Sequence, residues 1–363
     1  MDNAWRSFMW EHIPYEEKHL DEMLAMTKQN YGDIEIADKE YILHQYFKNP
    51  AGKAAIELAY DFESQCLAGQ YIAIPNRIVI DGTVYPILLS LNTLTNENYR
   101  GQGIFTKLAE RLYTSNTPDF IGVYGMPNQN SYHGFIKKLN CRDFGSIPLF
   151  LRPLKPTNLV KERLHSSFLS SLARPFNLIY KTKPVRLPAN LEIVEIDYNN
   201  LDLVDEFWES IHRKYPVMIV RDADYIKWRY LDTPIRNYRV YVLLKSGSPC
   251  AYAVGRITDV AGMNCGMLVD LLTLPGQEYD GRYLVNKMLT YFERKNVDMA
   301  GCLMKTGTGE AALLKKCGFF VCPKFLEPQP FPMILRIFRK DIEPMKISNF
   351  DDWFFTMGDY DAI

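Results

Sequence analysis

The chain has 363 residues, of which 47% are hydrophobic, and its 42 Lys and Arg nearly balance 43 Asp and Glu, giving a net charge of -1. This length suits two domains or one large domain, and the balanced charge gives no global argument for a nucleic acid or an anionic membrane as partner. The 7 scattered cysteines form no C-x-x-C pair, the 6 histidines show no metal-ligand spacing, and neither a signal peptide nor a long apolar run is present. These features predict a cytoplasmic protein with reduced thiols, no metal and no membrane span, and leave the oligomeric state open.

The first half of the chain alternates between strand-like and helix-like segments. In order, the patterns predict a strand near residues 8–12, helices over 15–29 and 39–47, strands over 54–60 and 65–74, a hairpin of 77–80 and 83–95, a strand over 120–126, a helix within 127–139 and a strand over 149–154. Asp38 occupies the N-cap position of the second helix, and Asp81-Gly82 is the turn of the hairpin.

A proline-punctuated segment follows and separates the first half from the second. Residues 156–190 are predicted to be a connector with a helix within residues 158–172, which carries Lys161 and Arg163 beside Leu164 and Phe168. We expect this helix to pack across the two halves, and binding at a membrane surface is the alternative.

The second half repeats the first. Residues 37–50 and 221–234 share five residues at a constant offset of 222 − 38 = 184 positions: Asp38, Tyr41, Ile42, Tyr46 and Pro50 recur as Asp222, Tyr225, Ile226, Tyr230 and Pro234. A weaker match pairs residues 137–141 with 315–319. The sequence therefore predicts two tandem α/β units with mixed (α+β) sheets, spanning residues 1–155 and 191–363.

One stretch of the first unit indicates chemistry. After the Thr-rich strand that ends near Thr95, Arg100, Gly101, Gln102 and Gly103 precede a helix with one apolar face. Helix N-termini carry free N–H groups and partial positive charge, and glycine lets an oxyanion approach the backbone closely. The pattern is neither a P-loop nor a Rossmann fingerprint. It predicts a phosphate cradle of another type, or else a simple turn.

This stretch resembles motif A of the GNAT acyltransferase superfamily, R/Q-x-x-G-x-G/A, which holds the pyrophosphate of coenzyme A. Arg100 and Gly103 match the motif, whereas Phe105 stands where the family has a small residue. The resemblance implies an acyl-CoA N-acyltransferase whose cradle comprises Arg100, Gly101, Gln102, Gly103, Ile104 and Phe105. It further implies that the strand before the cradle splays from its neighbour, so that Leu94 and Thr95 pair with the pantetheine arm.

The next strand leads into a segment similar to motif B, N-x-x-A-x-x-x-Y. Asn128 falls on the Asn and Ser131 on the small residue, which makes both expected contacts of coenzyme A. Capping of the following helix is the alternative for Asn128. Phe135 falls on the Tyr that protonates the leaving thiolate in many members of the family, and Phe has no proton to donate.

Other side chains must then supply the acid and the base. Tyr124 and Tyr132 are the candidate acids, and His133, which can titrate near neutral pH, is the candidate base unless it is an ordinary exposed histidine. A carboxylate of the second unit, such as Asp270, is a further candidate that would reach the amine across the cleft.

The second unit is expected not to bind coenzyme A. Its equivalent loop has lost the glycine pair, and Glu278 and Asp280 place negative charge where a pyrophosphate would lie. We expect this unit to complete the acceptor site. Trp353, Phe354 and Phe355 predict that the C-terminal segment docks on the protein. For Asp359 and Asp361 we expect a capping or structural role, and the alternative is that they point into a site.

The acceptor is the open part of the hypothesis. The D-x-x-Y-[IL]-x-W-R-Y-x-x-x-P pattern of the second unit resembles that of tandem GNAT proteins of surface-polysaccharide synthesis, which implies acyl transfer to a nucleotide-linked amino sugar. Acylation of another small amine or an aminoglycoside is the second hypothesis, and a non-catalytic CoA-binding or sensor module is the third. In each case the expected partners are small molecules.

Overall fold

The computed structural model describes residues 10–157, 180–182, 185–260, 262–324, 327–342 and 344–360. The helix predicted within residues 158–172 lies outside them. No helix in this described part is long and apolar enough to cross a membrane.

Two sheets form the framework. The strands are β1 (Glu11–Pro14), β2 (Ala55–Asp61), β3 (Cys66–Ile80), β4 (Thr83–Thr95), β5 (Gly122–Gly125), β6 (Arg142–Ser146), β7 (Leu149–Pro153), β8 (Leu191–Glu195), β9 (Val217–Ile219), β10 (Tyr238–Lys245), β11 (Ser248–Val260), β12 (Met263–Thr273), β13 (Met299–Leu303), β14 (Phe320–Val321) and β15 (Pro332–Ile337). The helices are α1 (Leu20–Tyr31), α2 (Lys39–Phe47), α3 (Ile104–Asn116), α4 (Gln129–Lys138), α5 (Asp202–Ile211), α6 (Ala223–Ile226), α7 (Glu278–Arg294) and α8 (Gly309–Lys316).

The strand orders show the internal repeat and an exchange of strands. The first sheet runs β1-β2-β3-β4-β5-β15-β6, with β9 also pairing with β3, and the second runs β8-β10-β11-β12-β13-β7-β14. Matching positions have matching directions: β4 is parallel to β5 and β12 to β13. However, β7 from the first half lies in the second sheet, and β15 from the second half lies in the first. The boundaries 1–155 and 191–363 remain predictions, because each sheet borrows a strand from the other half.

The repeated segments are built by the same local chemistry. The Asp38 side chain accepts a hydrogen bond from the Tyr41 N–H at the start of α2, and Asp222 accepts one from the Tyr225 N–H at the start of α6. The two segments also meet: the His44 ring donates to the Trp228 carbonyl at 2.8 Å, and the Trp228 indole donates to the His44 carbonyl at 3.4 Å. Equivalent residues that contact each other reciprocally indicate a pseudo-twofold relation between the units.

Three hydrophobic clusters hold the layers together. One packs α3 and α4 on the outer face of the first sheet, and a second packs α7 and α8 on the second sheet. The largest lies between the two sheets and includes the C-terminal segment, where Trp353, Phe354 and Phe355 are at most 1% exposed. The prediction that this segment docks is confirmed. Burial on this scale makes the shared core the main source of stability.

Candidate functional site

The glycine loop lies between the end of β4 and the start of α3. Gly101 and Gly103 have φ values of 83° and 78°, in the left-handed region that favours glycine. Gly103 is the N-cap residue of α3. A Cβ atom added to either glycine would meet nothing within 4 Å, so the space above the loop is open.

The same loop presents a row of unused hydrogen-bond donors. The first N–H of this region with an acceptor in the described part of the chain is that of Lys107, which donates to the Gly103 carbonyl at 3.0 Å. The N–H groups of residues 101–106 find none there. Arg100 is exposed and forms no ion pair with any described residue. Free N–H groups at a helix N-terminus, beside a guanidinium, form a site for an anion such as a pyrophosphate.

Beside the loop, β4 and β5 separate. Only three residue pairs join them, ending with Ser90 and Gly125. Beyond that point β4 bulges, because the register moves from Ile72–Leu91 to Gln70–Leu94 and Asn92 adopts a φ of 49°. Leu94 and Thr95 remain paired with β3 on one side and have no strand partner on the β5 side in the described chain. The opening can accept an extended ligand as an additional strand.

Phe105 fills the seam between α3 and α4. Its ring centroid lies 5.1 Å from that of Phe135 and 5.8 Å from that of Tyr71, in edge-to-face arrangements. A Cβ on Gly134 would come within 2.7 Å of the Phe105 ring. Phe105 and Gly134 therefore complement each other: the glycine on α4 supplies the space that the Phe on α3 uses.

Asn128 and Ser131 form a helix cap. The Asn128 side chain accepts from the N–H groups of Asn130 and Ser131 at 3.0 and 3.1 Å at the start of α4. The Ser131 hydroxyl donates back to Asn128 at 3.2 Å. Both side chains are thus engaged locally, which is the capping role that the sequence left open, and their contact with coenzyme A remains a prediction.

The three candidate catalytic side chains do not converge on one point. His133 is exposed on α4. Tyr132, on the same helix, hydrogen-bonds Asp143, which raises the pKa of the phenol. Tyr124 on β5 is fully buried, accepts from the Asn76 amide at 2.7 Å and donates to the Asp359 carbonyl at 3.1 Å.

Of the three, Tyr124 lies closest in the chain to the opening, one residue before the last β5 residue that pairs with β4. Burial, followed by the charge of Asp359, raises its pKa well above the ordinary value. The hydroxyl therefore stays protonated at neutral pH.

The second loop lacks this geometry. In place of two left-handed glycines it has one, Gly276, followed by Gln277 as the N-cap residue of α7. Asp280 is paired with Lys245 at 2.9 Å, and Glu278 lies 3.6 Å from Lys214. Asp280 is therefore balanced locally, whereas Glu278 shares Lys214 with Glu310, which is closer at 2.7 Å. The altered backbone and the charge of Glu278 both distinguish this loop from the first.

A buried polar network joins β12 of the second unit to the C-terminal segment. Arg221 donates to Asp270 at 2.8 Å and to Asp359 at 2.7 Å, and all three are at most 2% exposed. Thr356 donates to Asp270, and Tyr252 hydrogen-bonds the same carboxylate. Because Asp270 is fully buried and ion-paired, the structure gives no support to its role as a base that reaches across a cleft.

Further hydrogen bonds connect the C-terminal segment to the first unit. Arg229 donates to the Tyr360 carbonyl at 2.9 Å, and the Tyr360 hydroxyl donates at 3.1 Å to the carbonyl of Met126, next to the end of β5. This long-range contact has no local sequence signal. In the sequence, docking of this segment was indicated by the aromatic residues 353–355. Asp361 lies outside the described residues.

Comparison with known proteins bears on the fold. At the sequence level no family model and no curated protein matches the chain. Among solved structures, N-myristoyltransferase of Saccharomyces cerevisiae with bound myristoyl-CoA aligns over 92% of this chain and 83% of its own, with a TM-score of 0.63 and 13% identity.

Two bacterial structures are similarly close. A GCN5-related N-acetyltransferase from Anabaena variabilis and a probable N-acyltransferase from Enterococcus faecalis each align over 91% of this chain and 73% of their own, with a TM-score of 0.61 and 12% identity. The predicted fold class is confirmed: the chain has a tandem α/β fold of mixed sheets, like that of these GNAT-type N-acyltransferases.

Proposed function

We propose that the protein is an acyl-CoA-dependent N-acyltransferase. The observation that carries the proposal is the row of unpartnered N–H groups over residues 101–106, with two left-handed glycines, beside the opening between β4 and β5. This combination suits a ligand with a pyrophosphate at one end and an extended amide-bearing arm at the other, which is the shape of coenzyme A. The fold shared with N-acyltransferases supports the same assignment.

Each part of the site has a role in holding the donor. The N–H groups and Arg100 would bind the pyrophosphate, and the free edge of β4 at Leu94 and Thr95 would bind the pantetheine amides as a strand partner. The bound donor supplies a thioester whose carbonyl is attacked by an amine. Holding donor and amine together in one orientation is the main contribution that such a site makes to the rate.

Proton transfer is the second requirement. The acceptor amine must be neutral to attack, so its proton passes to a base or to water. The new C–N bond forms as the C–S bond breaks, and the sulfur keeps the electron pair. Because a thiol has a pKa of about 8.5, the thiolate leaves near neutral pH with little assistance, which makes the loss of a Tyr at Phe135 tolerable. Tyr124 stays a candidate acid because it lies beside the end of β5, although its burial raises the pKa of the phenol and its proton is hydrogen-bonded to the Asp359 carbonyl.

We assign the acceptor to the nucleotide-linked amino sugars and the acyl group to acetyl or another short chain. The aromatic content of the sequence, with 23 Tyr and 20 Phe, supports a bulky acceptor. An aminoglycoside or another small amine is the alternative. Because one similar structure contains bound myristoyl-CoA, donors with acyl groups of different lengths must be tested.

A thiol-release assay tests the proposal. Acetyl-, butyryl- and myristoyl-CoA are each offered with nucleotide-linked amino sugars, aminoglycosides and polyamines, and free coenzyme A is measured. We expect release with a short-chain donor and an amino-sugar nucleotide. Turnover of polyamines alone would overturn the acceptor assignment. CoA binding without turnover of any amine would favour a non-catalytic module, for which the substitution at Phe135 is the supporting feature.

A further inference from the structure

A cavity of about 540 Å³ lies in the outer helix layer of the second unit, apart from the glycine loop of the first. It is bordered by α7 and α8 and by the exchanged strand β7. The cationic side chains that line it are Arg152, Lys181, Arg282 and Lys316, and the acidic one is Glu278. Four cationic side chains against one carboxylate give the walls of the cavity an excess of positive charge.

Arg152 is a buried cation without a carboxylate partner. Its side chain projects from β7 and the residue is 7% exposed. Two of its nitrogens donate to neutral acceptors, the Thr182 hydroxyl at 3.3 Å and the Tyr180 carbonyl at 2.9 Å, and its Nε has no acceptor among the described residues. Burial lowers the pKa of this guanidinium. The charge of Glu293 opposes this effect, so Arg152 is compensated from a distance and not by a direct ion pair, although buried charges are normally paired.

Arg282 repeats this situation on α7. Its guanidinium lies 3.5 Å from the ring centroid of Tyr279 and 4.8 Å from that of Tyr283, and it donates to the Tyr283 hydroxyl at 2.8 Å. Its Nε is also buried and has no acceptor in the described part of the chain. The two aromatic rings fix the orientation of the guanidinium, as is typical of arginines that bind phosphate groups.

The position of the cavity follows from the repeat. The helices α7 and α8 are the counterparts of α3 and α4, which flank the glycine loop in the first unit. Gly309 at the start of α8 also lines the cavity, and the Thr308 side chain caps that helix end by accepting from the Ala311 N–H at 3.1 Å. The second unit thus has a cationic cavity between its paired helices, although its glycine loop is lost.

We propose that this cavity is a second anion site, which binds a small molecule bearing a diphosphate. Arg152, Lys181, Arg282 and Lys316 all stand on the cavity wall, and guanidinium and ammonium groups are the usual charged donors to phosphate oxygens. The volume lies within the range of roughly 300–1,000 Å³ that is usual for ligand sites, and so admits a nucleotide-sized ligand. Either a nucleotide-linked substrate or a free nucleoside diphosphate can supply this group. The assignment goes beyond the acyltransferase activity and does not depend on it.

Inorganic pyrophosphate is the first probe, and calorimetry counts its sites. The titration uses the full-length Gly103→Trp variant, so that binding at the glycine loop is blocked. We expect one site, weakened about tenfold or more by Lys316→Gln or Arg282→Gln, because each removes a charge-assisted hydrogen bond. The matched control is Lys315→Gln, which makes the same change of charge on the same helix at an exposed residue outside the cavity.

The outcomes separate the possibilities. Lys315→Gln should bind pyrophosphate as the parent does, and the loss in Lys316→Gln, an exposed position, keeps the test valid even if Arg282→Gln is unstable. Equal affinity in all variants, or no binding at all, would overturn the proposal. Competition against bound pyrophosphate by a nucleotide-linked sugar and by a free nucleoside diphosphate then identifies which source of the diphosphate the cavity accepts.

Discussion

Single residues at the glycine loop have separable roles in folding and in binding. Gly103 has a φ of 78° with open space above it, whereas Gly247, in a hairpin turn of the second unit, has a φ of 91° and equally open space. An alanine at either position adopts a left-handed backbone, at a cost of roughly 1–2 kcal/mol.

We therefore expect Gly103→Ala and Gly247→Ala to lower the free energy of unfolding by similar amounts. Only Gly103→Ala should weaken binding of coenzyme A, because its Cβ points into the space that the pyrophosphate needs. Urea unfolding and calorimetry measure the two effects. If both variants lost affinity equally, the loop would be acting through stability alone.

Asp359 predicts a pH dependence of stability. Its burial raises the pKa of the carboxyl group to about 6, against the opposing effect of Arg221. In the unfolded state this carboxyl group has a pKa of about 3.9, so it releases its proton before the folded state does as the pH rises from 4 to 6. The free energy of unfolding therefore falls by about 3 kcal/mol over this interval.

Asp359→Asn removes that titration while keeping the shape of the side chain. The difference in free energy of unfolding between wild type and Asp359→Asn should fall by about 3 kcal/mol between pH 4 and pH 7 and stay constant above it. Denaturant unfolding across this range measures the difference. Parallel curves would show that Asp359 is ionised in the folded protein throughout.

At the scale of elements, the packing of α3 on α4 depends on a reciprocal pair. Replacing Gly134 by Ala inside a helix ordinarily stabilises it by about 1 kcal/mol. Here the new Cβ would lie 2.7 Å from the Phe105 ring, which is held by Phe135 and Tyr71. Overpacking of this kind costs about 1–3 kcal/mol, so the sign of the effect should reverse.

The reversal gives a double-mutant test. Gly134→Ala should destabilise the wild type and stabilise the Phe105→Ala variant, as measured by free energies of unfolding. Stabilisation in both backgrounds would mean that α4 shifts to accommodate the methyl group, and that Phe105 does not determine the spacing of the two helices.

Local chemistry explains which elements the sequence predicted well. The Asp38 cap, the Asp81-Gly82 turn and the glycine loop depend on a few adjacent residues, and each has its predicted form. The run around Pro75 was predicted as two strands but is one, β3. Pro75 lies between the part of β3 that pairs with β2 and the part that pairs with β9. On that edge its carbonyl accepts from Asn49 at 2.7 Å, so the missing N–H of the proline interrupts no strand pairing.

Long-range contacts explain what the sequence could not predict. The exchange of β7 and β15 changes no local pattern, because a strand has the same kind of residue pattern in either sheet. The Arg221 network joins residues from three distant segments. The cationic cavity likewise combines β7 with α7 and α8, so no spacing in the chain indicates it.

At the scale of the whole molecule, the exchange of strands makes the two units interdependent. In the first sheet, β15 lies between β5 and β6, and it comes from residues 332–337. We expect a fragment of residues 1–155 to remain unfolded alone, because β5 and β6 would face a gap with unpaired backbone groups. Co-expression with residues 156–363 should restore a folded complex, as judged by circular dichroism and gel filtration. A stably folded fragment would contradict this interdependence.

The pseudo-twofold relation also has a functional consequence. Two similar units could bind two identical donors, yet within the described residues the first unit alone combines paired left-handed glycines, open N–H groups and the free edge of β4. The central claim is therefore that the chain binds one coenzyme A at the glycine loop of the first unit.

Calorimetric titration of acetyl-CoA tests this claim most directly. At concentrations that saturate the tighter site, we expect one equivalent per chain, abolished by Gly103→Trp and weakened by Arg100→Gln but unchanged by Lys315→Gln. Absence of binding, or full binding to the Gly103→Trp variant, would contradict the account.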